Sequence, residues 1–128
     1  MPPKPASAAT PETDQRPPDI ATMRESIGLL LPPDAAQAPT GEELATLTGS
    51  LRGHMELIIP EIEAAAVNLP KDDVPRHVAI ACIYEARGRL GRAAAGPGHD
   101  ALVYARRLAR SLNALCDHYE ALTGGRIH

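Results

Sequence analysis

Residues 101–122 read ALVYARRLARSLNALCDHYEAL, and within them Ala101, Ala105, Leu108, Leu112, Leu115, Tyr119 and Leu122 recur at alternating steps of four and three. At 3.6 residues per turn this spacing keeps all seven on one face, so the stretch predicts a helix with a continuous apolar stripe. The opposite face carries Arg106, Arg110, Asn113 and Asp117, which makes it the easiest place in the chain to build a polar site.

Before it, Ala95-Gly96-Pro97-Gly98 is a break and His99-Asp100 supplies a helix cap. A connection this short predicts that residues 73–94 form the other arm of an antiparallel hairpin. Those residues are apolar on two sides, with Val74, Val78, Ala81 and Cys82 on one and Ala79, Ile83, Ala86 and Leu90 on the other. Such a helix is expected in the middle of a bundle, or between the bundle and a second subunit. Its start is set by Asp72 or Asp73 as N-cap, with Pro75 in the first turn, where a missing N–H costs little.

Further back, Leu44, Leu47, Leu51, Met55, Ile58, Ile62, Ala65 and Leu69 hold one stripe for about 38 Å. Thr40 and Glu43 have the spacing of a capping box at its start. Pro60 points away from the stripe, so one bent helix is expected rather than two. Nine of the thirteen prolines precede residue 40. Residues 1–39 therefore read as a Pro-rich flexible tail containing a short helix at 19–31, capped by Asp19 and apolar at Ile20, Met23, Ile27, Leu30 and Leu31. About three turns need a partner to be stable, so this helix either docks on the bundle or orders when something binds. The expectation is an all-α protein: an antiparallel bundle of three main helices over 40–123 plus the short N-terminal helix, with 124–128 a C-terminal tail.

A net charge of -3 and a pI near 5.9 give no overall pull toward nucleic acid or anionic lipid. With no Trp, no Phe and three Tyr there is no aromatic platform for stacked bases, so direct nucleic-acid binding is not expected. Cys82 and Cys116 sit among apolar helical residues and read as small core residues in a reduced setting. The longest apolar run is too short for a membrane span or a signal core, which points to a soluble cytoplasmic protein.

Glu85 breaks the apolar pattern of its helix, and pairing about the loop centre places it level with Arg106 and one turn from Arg110. A Glu–Arg clasp of the hairpin is the structural reading; the chemical one is a carboxylate held by arginine at the edge of a small pocket, able to bind a cation or exchange a proton. Arg106, Arg110, Asn113, Asp117 and Glu120 follow one another at steps of four, three, four and three, the pattern of a solvated face stitched by ion pairs. Asn113 is the exception, a weak helix former that is better explained by a hydrogen bond to another helix. His118, beside Tyr119, is a border packing residue or, in a catalytic reading, a substrate-positioning group. The five histidines show no helical metal-ligand spacing, and neither a metal nor an organic cofactor is expected.

The segments Leu51-Arg52-Gly53-His54 with Leu57-Ile58-Ile59-Pro60-Glu61, Ala81-Cys82-Ile83-Tyr84-Glu85-Ala86-Arg87, and Arg107 to Tyr119 with its Cys-Asp-His-Tyr ending resemble a small actinobacterial family. That family is best represented in Streptomyces, has no assigned function and is often labelled a natural product biosynthesis protein. The resemblance covers about residues 40–122 and implies a setting in specialised metabolism or its regulation. It carries no catalytic residues over.

The sequence thus points to a non-enzymatic accessory or interaction protein that binds a protein partner or a small natural product beside the 101–122 helix through Glu85, Arg106, Arg110, Asn113 and Asp117. The alternative is a small cofactor-independent tailoring enzyme with Glu85 as acid/base and Arg110, Asn113 and His118 positioning the substrate. A partner of a transcriptional regulator is a third reading. Homodimerisation is expected from the two-sided helix.

Overall fold

In a computed structural model, residues 17–31, 38–92 and 100–123 are described, and among them the chain forms four helices. These are α1 (Ile20–Gly28), α2 (Gly41–Val67), α3 (Val74–Arg92) and α4 (Ala101–Leu122). The fold is an all-α bundle with a short N-terminal helix, as the periodicity predicts. The parts of the tails and connections at 1–16, 32–37, 93–99 and 124–128 lie outside the described residues, and with them the flexible-tail expectation for 1–16 and 124–128.

The widest contact in the bundle is between α2 and α4, and α3 packs across both. Leu51, Met55, Ile58 and Ile62 of α2 meet a core that includes Leu108, Leu112 and Leu115 of α4, all fully buried. Ala105 and Ala109 lie in the same buried face of α4, where small side chains let a neighbouring backbone come close. Ala79, Ile83 and Ala86 are the buried side of α3. Apart from Tyr104, no side chain with a nitrogen or oxygen that hydrogen-bonds to another helix is buried among the described residues. The bundle is held mainly by apolar contact, with its other polar ties on the rim.

Helix α2 runs unbroken through Pro60, which is exposed, so the apolar stripe crosses the missing N–H without interruption. At its end the stripe rotates slightly: Ile59 and Ala66 are buried, while Ala65 and Leu69 are half-buried. The caps divide. Asp100 accepts from the backbone N–H of Leu102 and Val103 at 2.9 and 3.3 Å, and Asp19 accepts from Thr22 N–H at 3.1 Å. The expected capping box at Thr40 does not form, and Thr40 contributes only its carbonyl, to Leu44 N–H at 3.3 Å. The reason lies at Gly41, whose φ of 58° puts the first helical residue in the left-handed region and changes how the chain enters the turn. Asp73 likewise serves α3 through its backbone carbonyl, which accepts from Arg76 and His77.

The expectation that α3 buries two apolar sides needs correction. It touches both α2 and α4, but with one side only. Val74, Val78 and Tyr84 are 68%, 47% and 82% exposed, and Ala81 is exposed beside them. The two long helices already contact each other, so α3 lies across their seam instead of between them.

This division predicts unequal tolerance to truncation. Leu112→Ala in the central seam is expected to cost about 2–5 kcal/mol in urea unfolding, whereas Leu57→Ala on the exposed side of α2 stays within about 0.5 kcal/mol.

Candidate functional site

The polar face of α4 is occupied by the chain's own N-terminal helix. Asp19 and Thr22 close the first turn of α1, and Met23, Ile27 and Leu30 then project into the core at the spacing of one helical face. That orientation places Arg24, the cation of α1, over the polar side of α4. Its guanidinium donates from Nη1 to Asn113 Oδ1 at 2.6 Å, and from Nη2 to Asp117 Oδ1 at 3.0 Å and Glu120 Oε1 at 2.7 Å. Three acceptors one or two turns apart on α4 thus converge on one planar group. Burial works against the charge on Arg24, but the bonds to Glu120 and Asp117 outweigh it and hold its pKa above the ordinary arginine value.

Arg106 serves the same contact from the other end, donating from Nε to the Leu30 carbonyl just past the α1 C-terminus at 3.1 Å. Under α1, Cys116 lies fully buried with its Sγ 3.9 Å from Met23 Sδ. Burial pushes this thiol up to about 11, with Glu120 and Asp117 adding to the rise and Arg24 opposing it. Cys82 is half-buried and also raised by burial, with Glu85 adding to it. Both thiols are free and suited to packing more than to nucleophilic chemistry.

Glu85 is elsewhere. The expected level pairing with Arg106 does not occur, because Arg106 is on the flank of α4 that meets α1 while α3 packs on the other flank. Helix α3 ends at Arg92 and α4 starts only at Ala101, which moves the pairing further along α4. Glu85 instead accepts from Arg89 Nη2, one turn on in its own helix, at 3.2 Å. Arg89 also reaches across to the Arg107 carbonyl at 3.2 Å. With Cys82, Arg110, Ser111 and Ala114, these two residues line a notch of about 140 Å³ between α3 and α4. The structure therefore brings Asn113 and Asp117 together with Glu120 at one site, and Glu85 with Arg110 at another. His118 is half-buried on α4 and belongs to neither set of contacts.

Several polar ties have no local signature in the sequence. Arg24 lies 89 to 96 positions before its acceptors, and its one visible signal is to be the cation on a helix otherwise lacking basic residues. Tyr104, buried at the start of α4, accepts from Arg52 Nη1 of α2 at 2.6 Å and donates to the Arg89 carbonyl of α3 at 3.4 Å, joining three helices. Arg87 adds a rim ion pair to Glu63 of α2 at 2.8 Å. Among the described residues, no group of three or more His, Cys, Asp or Glu could hold a metal ion, and no helix is long and apolar enough to cross a membrane.

A model of the family of unknown function DUF6415 matches residues 21–124, from the first turn of α1 to just past α4. The chain belongs to that family. Its matched region reaches back beyond residue 40, so α1 lies inside the family's unit together with the three longer helices. No curated protein and no solved structure matches the chain significantly.

At the other end of α1, His54 faces the Asp19 cap. Burial lowers its pKa below the usual histidine value, and the Asp19 charge only partly opposes this. The unfolded chain thus binds more protons than the native one as pH falls below about 6.5. Stability is expected to decrease across the interval from there down to the folded pKa, and His54→Gln should flatten that slope in urea titrations between pH 7 and 5.

Proposed function

We propose that the chain is a non-enzymatic accessory or interaction protein of specialised-metabolite biosynthesis or its regulation, acting in the cytoplasm by binding a partner protein. The observation that carries this reading is the convergence of Asn113, Asp117 and Glu120 on one guanidinium, an arrangement that recognises a helix presented across α4. The metabolic setting is supported by the resemblance of residues 40–122 to proteins carrying that label. Affinity capture from the native producer's lysate, with intact-mass analysis, is expected to yield a protein in stoichiometric amount. A small molecule as the sole bound species would overturn this reading.

The notch that holds Glu85 and Arg110 favours a second reading, a cofactor-independent tailoring enzyme in which the Glu85 carboxylate moves a proton and Arg110 holds an anionic substrate. It requires turnover of some component in a metabolite extract that Glu85→Gln abolishes while the fold is kept. Action through a transcriptional regulator falls within the interaction reading, with the regulator as the captured protein.

Self-association is proposed through the outward face of α3, where Val74, Val78 and Tyr84 are exposed on one helix. Sedimentation is expected to show a dimer that Val78→Glu with Tyr84→Glu converts to monomer; an unchanged monomer in the unsubstituted chain would rule it out.

A further inference from the structure

We infer that α1 is a removable plug, and that the slot it fills between α2 and α4 receives an amphipathic helix of a partner protein bearing an arginine at the place of Arg24 and basic residues beyond its last apolar anchor. This rests on the interaction reading above and names its site and partner chemistry.

The asymmetry of the packing makes α1 the removable part. Helices α2, α3 and α4 pack against one another in all three pairings, so their mutual core persists without α1. Helix α1 has nine residues, too few to be helical alone, and its segment is tied to the bundle by buried Met23, Ile27 and Leu30, half-buried Ile20 and Leu31, and a polar rim. The side chains of Asp117 and Glu120 are 66% and 48% exposed, so water readily replaces Arg24 there.

The slot also defines what it accepts. Its occupant is an apolar residue followed by arginine, with further apolar residues three and six positions after that arginine, as in Met23, Arg24, Ile27 and Leu30. A tethered plug acts at an effective concentration on the order of millimolar, so a competing helix needs contacts that α1 lacks. The fold offers them. Past the end of α1, Leu29, Pro39, Glu42, Glu43 and Leu47 border an open cavity of about 590 Å³. Helix α1 brings no basic residue to its last turn, although basic groups there would answer both its own dipole and the two carboxylates. A longer helix ending in lysine or arginine fills the cavity and meets Glu42 and Glu43, which gives it the advantage over the plug.

Cys116 reports the state of the slot, because Met23 covers its thiol. The test uses the full chain, unsubstituted and with Arg24→Ala, and a fluorescent peptide of residues 17–31 extended by two lysines. The peptide is expected to bind the Arg24→Ala chain at least ten-fold more tightly than the unsubstituted one. Iodoacetamide should alkylate Cys116 at least ten-fold faster in the Arg24→Ala chain, and bound peptide should slow it again. A peptide with glutamate in place of its arginine should lose at least ten-fold in affinity. Absence of peptide binding to a folded Arg24→Ala chain, equal binding of the glutamate peptide, or amide exchange in α1 as slow as in α4 each overturns the proposal. Should Arg24→Ala fail to fold, Arg24→Lys takes its place, since an ammonium lacks the planar fork whose two nitrogens serve separate acceptors. A lysate partner captured equally by the unsubstituted chain and by one with Asp117→Lys and Glu120→Lys would leave the interaction reading standing and remove the plug.

Discussion

The contact on which the rest of this bundle depends is the apolar seam between α2 and α4. Leu51, Met55, Ile58 and Ile62 on one helix and Leu108, Leu112 and Leu115 on the other lose all access to water, while Ala105 and Ala109 contribute buried positions with little bulk. Burial of this kind is non-directional, so it settles which faces meet but leaves the rim to be organised by other forces. Two flanks of α4 remain beside the seam. Helix α3 takes one and α1 takes the other, each fastened by arginines whose partners are carboxylates, backbone carbonyls and, for Arg24, the Asn113 side-chain amide.

Arginine does most of the polar work because its planar, multiply donating group can join acceptors on different helices. Arg24 gathers three side chains, Arg89 links its own helix to α4, Arg106 reaches the end of α1, and Arg52 meets the Tyr104 hydroxyl. These ties lie at or near the surface, where each contributes modestly to stability. Their value lies in orientation. They fix how the short helix lies on the long ones.

Much of the helical framework was legible. The stripe in residues 101–122 fell on a helix with Leu108, Leu112 and Leu115 buried; the α2 stripe crossed Pro60 without breaking; and Asp19 and Asp100 capped as their positions indicated. Asn113 bonds to another helix, as its weak helix propensity suggested. Less legible were features set by backbone conformation or by distance. The left-handed Gly41 undid a capping box whose residue spacing was correct, and the true hairpin register separated Glu85 from Arg106. The two apolar sides of α3 could not be ranked from their own residues, because the choice depended on how closely α2 and α4 approach each other.

Local residue patterns are enough to place the four helices and the apolar faces of α2 and α4, since periodicity and caps act over three or four residues. How the polar face is used follows from tertiary packing. Arg24 meets Asn113, Asp117 and Glu120 because burial of Met23, Ile27 and Leu30 rotates α1 onto that flank, and no local pattern encodes a contact spanning some ninety residues. The same holds for the notch at Glu85 and Arg110, whose position follows from where α3 ends and α4 begins. Local rules act along the chain, whereas the pairing of polar groups across it depends on how the apolar faces have already met.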